Sequence, residues 1–212
     1  MLADHVLRMS QPPSFDLVVM AASAGGIQAL QQVLSSLPAN FPVPICVVQH
    51  RSLHTPDLLP RVLGRSTLLK VKRSEPGERM QPGTVYLAPI DAHLLVNPDR
   101  TLAMRDGVRI RHVLSSANPL FISAAQATGK GTIGVVLTGN DSDATDGVQA
   151  IKQEGGLVIA QDRATARNFG MPGSAIQTGA VDYILPLDLI GPALVDLVHG
   201  RSLTSPRHAP AD

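Results

Sequence analysis

At 212 residues and a formal net charge of +1, the chain can hold one sizeable α/β domain and lacks the basic excess of a general phosphate-backbone binder, so no nucleic-acid partner is expected. With no tryptophan, two tyrosines and four phenylalanines it has too few rings to stack single-stranded bases, and one cysteine, Cys46, excludes an intrachain disulfide or a thiol metal cluster. No secretory leader and no apolar run of bilayer length stand in the sequence, so the expectation is a cytoplasmic protein without membrane insertion.

Residues 1–14 end in Gln-Pro-Pro-Ser and read as a flexible lead-in. The run VVMAASAGG (18–26) then passes from apolar residues into a small-residue corner that carries one hydroxyl, Ser23. After it the apolar positions Leu30, Val33, Leu34 and Leu37 have helical spacing, so the stretch predicts strand, sharp turn, helix. A short β-branched run at 42–49 predicts a buried strand that stops at His50. A helix is expected over 54–65 and a strand over 68–72, followed by the turn pairs Pro76-Gly77 and Pro82-Gly83. Short strands at 85–88, 93–97 and 101–105 suggest an antiparallel excursion.

Parallel α/β order resumes with a helix at 119–128, a strand at 131–137 and a polar loop at 138–147. Then come a helix at 148–154, a strand at 157–161, a helix at 171–178, a strand at 181–185 and a last helix starting near Pro192. The predicted fold is a doubly wound, mainly parallel α/β sheet with an antiparallel hairpin extension, spanning 15–199, with a disordered tail at 200–212.

In such a sheet the chemistry sits at the carboxyl ends of the strands. Ser23, His50 and the acidic loop of Asp141, Asp143 and Asp146 all arrive there. A hydroxyl is a poor nucleophile at neutral pH, so an imidazole must take its proton and a carboxylate must hold that imidazole. Serine, histidine and aspartate therefore suit acyl transfer, and the residue pattern alone also leaves open a phosphate-binding turn or a fortuitous set. Asp141 and Asp146 read as solvated loop charges, with Asp141 close enough to raise the pKa of Asp143 in a dry loop. His93 and His112 read as surface or hairpin histidines.

Other sites are disfavoured. Cys46, His50 and His54 recur at four-residue intervals, but a strand ending at His50 puts the first two about 13 Å apart. The 141–147 loop lacks the calcium pattern, because its glycine comes one position late and Lys152 replaces the bidentate glutamate. The spacing of a dinucleotide fingerprint is also missing. No metal or cofactor is expected.

Five segments, VVMAASAGGIQAL, VVQH, EPGERMQPGTVYLAPIDAHLLV, IGVVLTGNDSDATDG and FGMPGSAI, together resemble the catalytic domain of the chemotaxis protein-glutamate methylesterases (CheB), over about residues 16–198. That resemblance implies a serine hydrolase of γ-glutamyl methyl esters on the cytoplasmic helices of methylated chemoreceptors, some members also deamidating glutamine. By position it implies Ser23 as nucleophile, His50 as general base and Asp143 as orienting carboxylate. It also implies Ala24, Gly25, Gly26 and Asn140 as the turn and oxyanion groups, with Arg111, His112, Phe169 and Met171 lining the substrate site.

The chain departs from the family pattern at several positions. Ala21 replaces the first glycine of the turn, Ala24 stands where threonine is frequent, Asn140 replaces a methionine, and Ala144 replaces the glycine after the aspartate. The 111–118 segment matches the family poorly. Only about 15 residues precede the first strand, so a receiver domain in cis is not expected and control falls either to no one or to a separate regulatory protein. Arg51, Arg105, Arg109 and Arg111 could form a positive rim for glutamate-rich helices. The competing readings are a catalytically idle CheB-like adaptor that binds receptors or signalling proteins, and a nucleotide-binding α/β module.

Overall fold

The first strand sorts the core by parity. In β1 (Leu17–Ala22) every residue is buried. Val18, Met20 and Ala22 face one apolar layer, Leu17, Val19 and Ala21 the other, as the two-residue period of a strand requires. Burial on both faces is the condition under which a parallel sheet forms. The computed structural model describes residues 15–51, 57–106 and 115–203.

After β1 the chain runs α1 (Gly26–Ser35), β2 (Ile45–Gln49), α2 (Leu59–Gly64), β3 (Lys70–Arg73), β4 (Thr84–Leu87), β5 (Ala92–Val96) and β6 (Leu102–Asp106). It continues with α3 (Ala117–Thr128), β7 (Thr132–Val136), α4 (Thr145–Gln153), β8 (Leu157–Gln161), α5 (Gly170–Gln177), β9 (Tyr183–Leu185) and α6 (Leu187–Val198). Seven strands form one parallel sheet in the order β3-β4-β2-β1-β7-β8-β9, and β5 and β6 form a separate antiparallel hairpin. α1, α2 and α6 cover one face of the sheet. α3, α4, α5 and the hairpin cover the other. The order reverses direction between β1 and β7, so a crevice opens above their carboxyl ends.

Three sequence expectations need correction. The 85–88 segment does not belong to the antiparallel excursion; as β4 it pairs in parallel with both β2 and β3, because Val85, Tyr86 and Leu87 are buried on both sides. The last helix starts at Leu187, with Pro192 inside it. Proline there forgoes one hydrogen bond, to the Asp188 carbonyl, while the preceding turn buries Ile190 and brings Gly191 against Ser36, the residue that caps the end of α1. Helix α4 starts at Thr145, three residues early, because Ala144 takes a left-handed φ of 78° and turns the chain into it. The expected helix start at 54 and the lead-in lie outside the described residues, as does the tail from 204; before it, Leu203 still packs on the core.

Candidate active site

Register brings the serine and the histidine to one rim. Ala22 pairs with Gln49 across the parallel strands β1 and β2, so Ser23 and His50 leave the sheet at the same level, one strand spacing apart. The His50 N–H donates to the Ala22 carbonyl at 3.0 Å. On the other side β1 pairs with β7, and the Ser23 N–H donates to the Thr138 carbonyl at 2.9 Å. The serine therefore stands at the switch point, between β2 and the loop that follows β7.

The turn is held from three sides. Its own Gly26 N–H closes on the Ser23 carbonyl at 2.8 Å, with Gly25 at φ 80°, a conformation that glycine adopts without strain. Gln49, buried at the end of β2, donates Nε2 to the carbonyls of both Ser23 (2.9 Å) and His50 (3.0 Å). Thr138 Oγ1 lies 2.9 Å from the Ala24 carbonyl and accepts the Asn168 N–H at 2.9 Å. The loop before α5 is stitched to Gly139, which donates to Asn168 O (3.0 Å) and accepts from Met171 N–H (2.9 Å). Among the described residues the N–H groups of Ala24 and Asn140 donate to no protein acceptor.

Asp143 sits at the floor, 1 % exposed. Its Oδ1 accepts the Ser116 hydroxyl at 2.7 Å and the Ala144 N–H at 2.9 Å. Its Oδ2 accepts the Ala117 N–H at 2.6 Å, at the start of α3, and meets His50 Nε2 at 2.8 Å. Ser116 is itself fixed, since its N–H donates to Nδ1 of the buried His93 at 3.1 Å. The second ring nitrogen of His50, Nδ1, lies 3.2 Å from Asp141 Oδ2. Asp141 Oδ1 accepts the Asp143 N–H at 2.9 Å.

These contacts set the charges. Burial works against a charged His50, but the hydrogen bonds to Asp141 and Asp143 outweigh it and raise its pKa to about 9. Burial also pushes the Asp143 carboxyl upward; bonds from His50, the Ala117 N–H and Ser116 overcome it, so the pKa falls. Asp141 is lowered in the same way, against its burial, by His50 and the Asp143 N–H. The expectation that Asp141 raises Asp143 is thus reversed, because an imidazolium shared between the two carboxylates outweighs their mutual repulsion.

The sequence candidates are distributed unevenly. Ser23, His50, Asp143, Ala24, Gly25, Gly26 and Asn140 meet at the rim, as do Met171 and Phe169 through the stitched loop. Met171 is buried against Gly139, and Phe169 lies under the Arg163 guanidinium at 4.3 Å. Arg111 and His112 lie outside the described residues, as do Arg109 and His54. Arg51 is no free rim charge, since it pairs with Asp57 and bonds the Ala88 carbonyl. His93 is in the hairpin as expected but is buried rather than on the surface, and Asp141 faces His50 rather than water alone. Cys46 lies within the sheet beside Met80, with its thiol pKa raised by burial. Among the described residues no group of three or more His, Cys, Asp or Glu is placed to hold a metal ion.

Sequence reasoning missed Ser116, Gln49, Thr138 and the role of Asp141. Gln49 had a local signal, an amide at the polar end of a buried strand; Ser116 had none, because its partner lies 27 positions away.

Comparison with known proteins gives a consistent answer. The family model described as CheB methylesterase matches residues 18–194. The chain is 42% identical over 187 residues to the protein-glutamate methylesterase FrzG of Myxococcus xanthus, covering 88% of this chain and 56% of that one. It thus spans about half the length of that relative. It is 37% identical over 184 residues to a putative protein-glutamate methylesterase/protein-glutamine glutaminase of Leptospira interrogans, covering 87% of this chain and 95% of that one. The crystal structure of the Thermotoga maritima CheB methylesterase catalytic domain superposes with a TM-score of 0.83 at 38% identity, covering 87% of this chain and all of that one. With motifs, topology and rim geometry in agreement, this chain belongs to the CheB methylesterase family.

Proposed function

We propose that this chain hydrolyses the methyl esters of glutamyl side chains on the cytoplasmic helices of chemoreceptors. The observation that carries the reading is the convergence of Ser23, His50 and the buried, fourfold-bonded Asp143 at the switch point, beside two N–H groups that have no protein acceptor among the described residues. Asp143 keeps one nitrogen of the His50 ring, and the other takes the Ser23 proton as Oγ attacks the ester carbonyl. The N–H groups of Ala24 and Asn140 stabilise the oxyanion. His50 then protonates the departing methoxide, and methanol leaves. Water, deprotonated by the same imidazole, resolves the glutamyl-serine ester and regenerates Ser23.

A primary amide can form the same acyl-enzyme with ammonia as leaving group, which extends the reading to glutamine deamidation. Acidic receptor helices and a separate regulatory protein are the partners this reading implies. Methanol release from methylated receptor fragments tests it, together with labelling of Ser23 by a fluorophosphonate. A wild-type chain that binds receptor but neither releases methanol nor takes the label would be an adaptor instead.

A further inference from the structure

His50 has two ring nitrogens, and both face carboxylates: Nε2 meets Asp143 at 2.8 Å and Nδ1 meets Asp141 at 3.2 Å. A serine hydrolase needs one of them for the hydroxyl. In this arrangement none is left, and the Ser23 hydroxyl makes no hydrogen bond to the ring.

The two carboxylates are not held equally. Asp143 is 1 % exposed and accepts from Ser116, Ala117 and Ala144 in addition to His50. The Asp141 side chain is 36 % exposed and has, among the described residues, one other anchor, the Asp143 N–H on its far oxygen. Releasing Asp143 would strip a buried charge of a partner; releasing Asp141 turns a half-exposed carboxylate toward water. The contact that yields is the one with Asp141.

We propose that Asp141 is a positioning residue that competes with Ser23 for His50, holding the imidazole doubly bonded and protonated until substrate or alkaline pH opens the Asp141 contact. The inference rests on the esterase reading above. Among the described residues, the charged groups that face the ring are Asp141 and Asp143, both from the loop between β7 and α4. Strand register places the neutral Ser23, just after β1, beside His50 on the same rim; α3 and β5 connect to the ring through Asp143, by way of Ser116 and His93. Asp141 is thus the removable half of the charge that keeps a proton on the base, in line with the raised pKa of about 9.

The test compares wild type with Asp141→Asn, which keeps an oxygen for the Asp143 N–H, and Asp141→Ala, which removes the whole group. Two measurements are made on the full chain: the His50 titration, by imidazole nitrogen NMR, and the pH dependence of kcat/KM for methanol release. Both variants are expected to lower the His50 midpoint and the acid limb of kcat/KM together, by about one pH unit, which raises kcat/KM at pH 7 about tenfold. If both variants keep the wild-type midpoint and only scale the rate at every pH, Asp141 merely shapes the loop and the inference is overturned. If the midpoint drops in both but wild type releases no methanol at any pH, the esterase reading fails while the competition for the imidazole stands.

Discussion

Gly139 lies so close to Ser23 that a Cβ added to it would sit 2.9 Å from the Ser23 Cβ while overlapping the Met171 side chain. Real Cβ atoms do not approach that near, so both neighbours have to give. The Met171 side chain is buried, and the Ser23 Cβ stands on the turn that carries the nucleophile, so the serine turn is displaced along with the thioether. Gly139→Ala is expected to reduce kcat/KM for methanol release about 100-fold by misplacing the nucleophile. It should also destabilise the fold by about 1–3 kcal/mol through overpacking, read from urea unfolding.

Ser23→Ala separates chemistry from folding. The hydroxyl has no hydrogen-bond partner among the described residues, and its main-chain bonds survive the substitution. Turnover is expected to fall by about 10³-fold or more, with Tm unchanged and fluorophosphonate labelling lost. Near-normal methanol release from the variant would sink the proposed mechanism.

The pH dependence follows from His50. The base must be neutral to accept a proton, so kcat/KM for wild type is expected to rise with pH through about 9. Stability runs the other way. A histidine raised from 6.5 to about 9 binds its proton more tightly in the native state, so its contribution is complete below pH 6.5 and is lost as the pH climbs through 9. The shift corresponds to about 3 kcal/mol. Urea unfolding between pH 6.5 and 9.5 should show that loss in wild type and not in His50→Ala.

Ser116→Ala removes the 2.7 Å bond from a hydroxyl to the buried Asp143. A lost hydrogen bond to a charged group costs about 1.5–3 kcal/mol. The lowered Asp143 carboxyl stabilises the fold above its ordinary value of 3.8, and that contribution is lost as pH falls through its native-state pKa. With one donor fewer, the native-state pKa moves up, so acid unfolding of Ser116→Ala is expected to begin at higher pH than in wild type. Circular dichroism against pH reads this directly, and an unchanged acid midpoint would show that the Ala117 and Ala144 N–H groups and His50 suffice.

Much of this was legible in the chain itself. The apolar run into Ser23 and the helical spacing from Leu30 to Leu37 are local patterns, and β1 and α1 follow them. The hydrophobic runs at 42–49, 131–137 and 157–161 likewise carry their own strand signal, and a parallel sheet follows from their alternation with helices. From that sheet, the placing of Ser23, His50 and the acidic loop at one rim needed no coordinates.

What the sequence could not decide was which groups meet once they arrive. Strand 85–88 reads the same in a hairpin or in a parallel sheet, and only the two neighbours that bury both its faces choose between them. The start of α6 depended on Gly191 fitting against α1, a contact invisible to proline-based reasoning. Motif position singled out Asp143 as the orienting carboxylate, but nothing along the chain said that Asp141, two residues away, would take the other side of the same ring; the fold sends one to the floor, under Ser116 and Ala117, and the other to the second ring nitrogen. Periodicity is a property of neighbours along the chain, whereas a hydrogen bond between side chains 93 positions apart depends on strand register and loop path, which only tertiary packing sets.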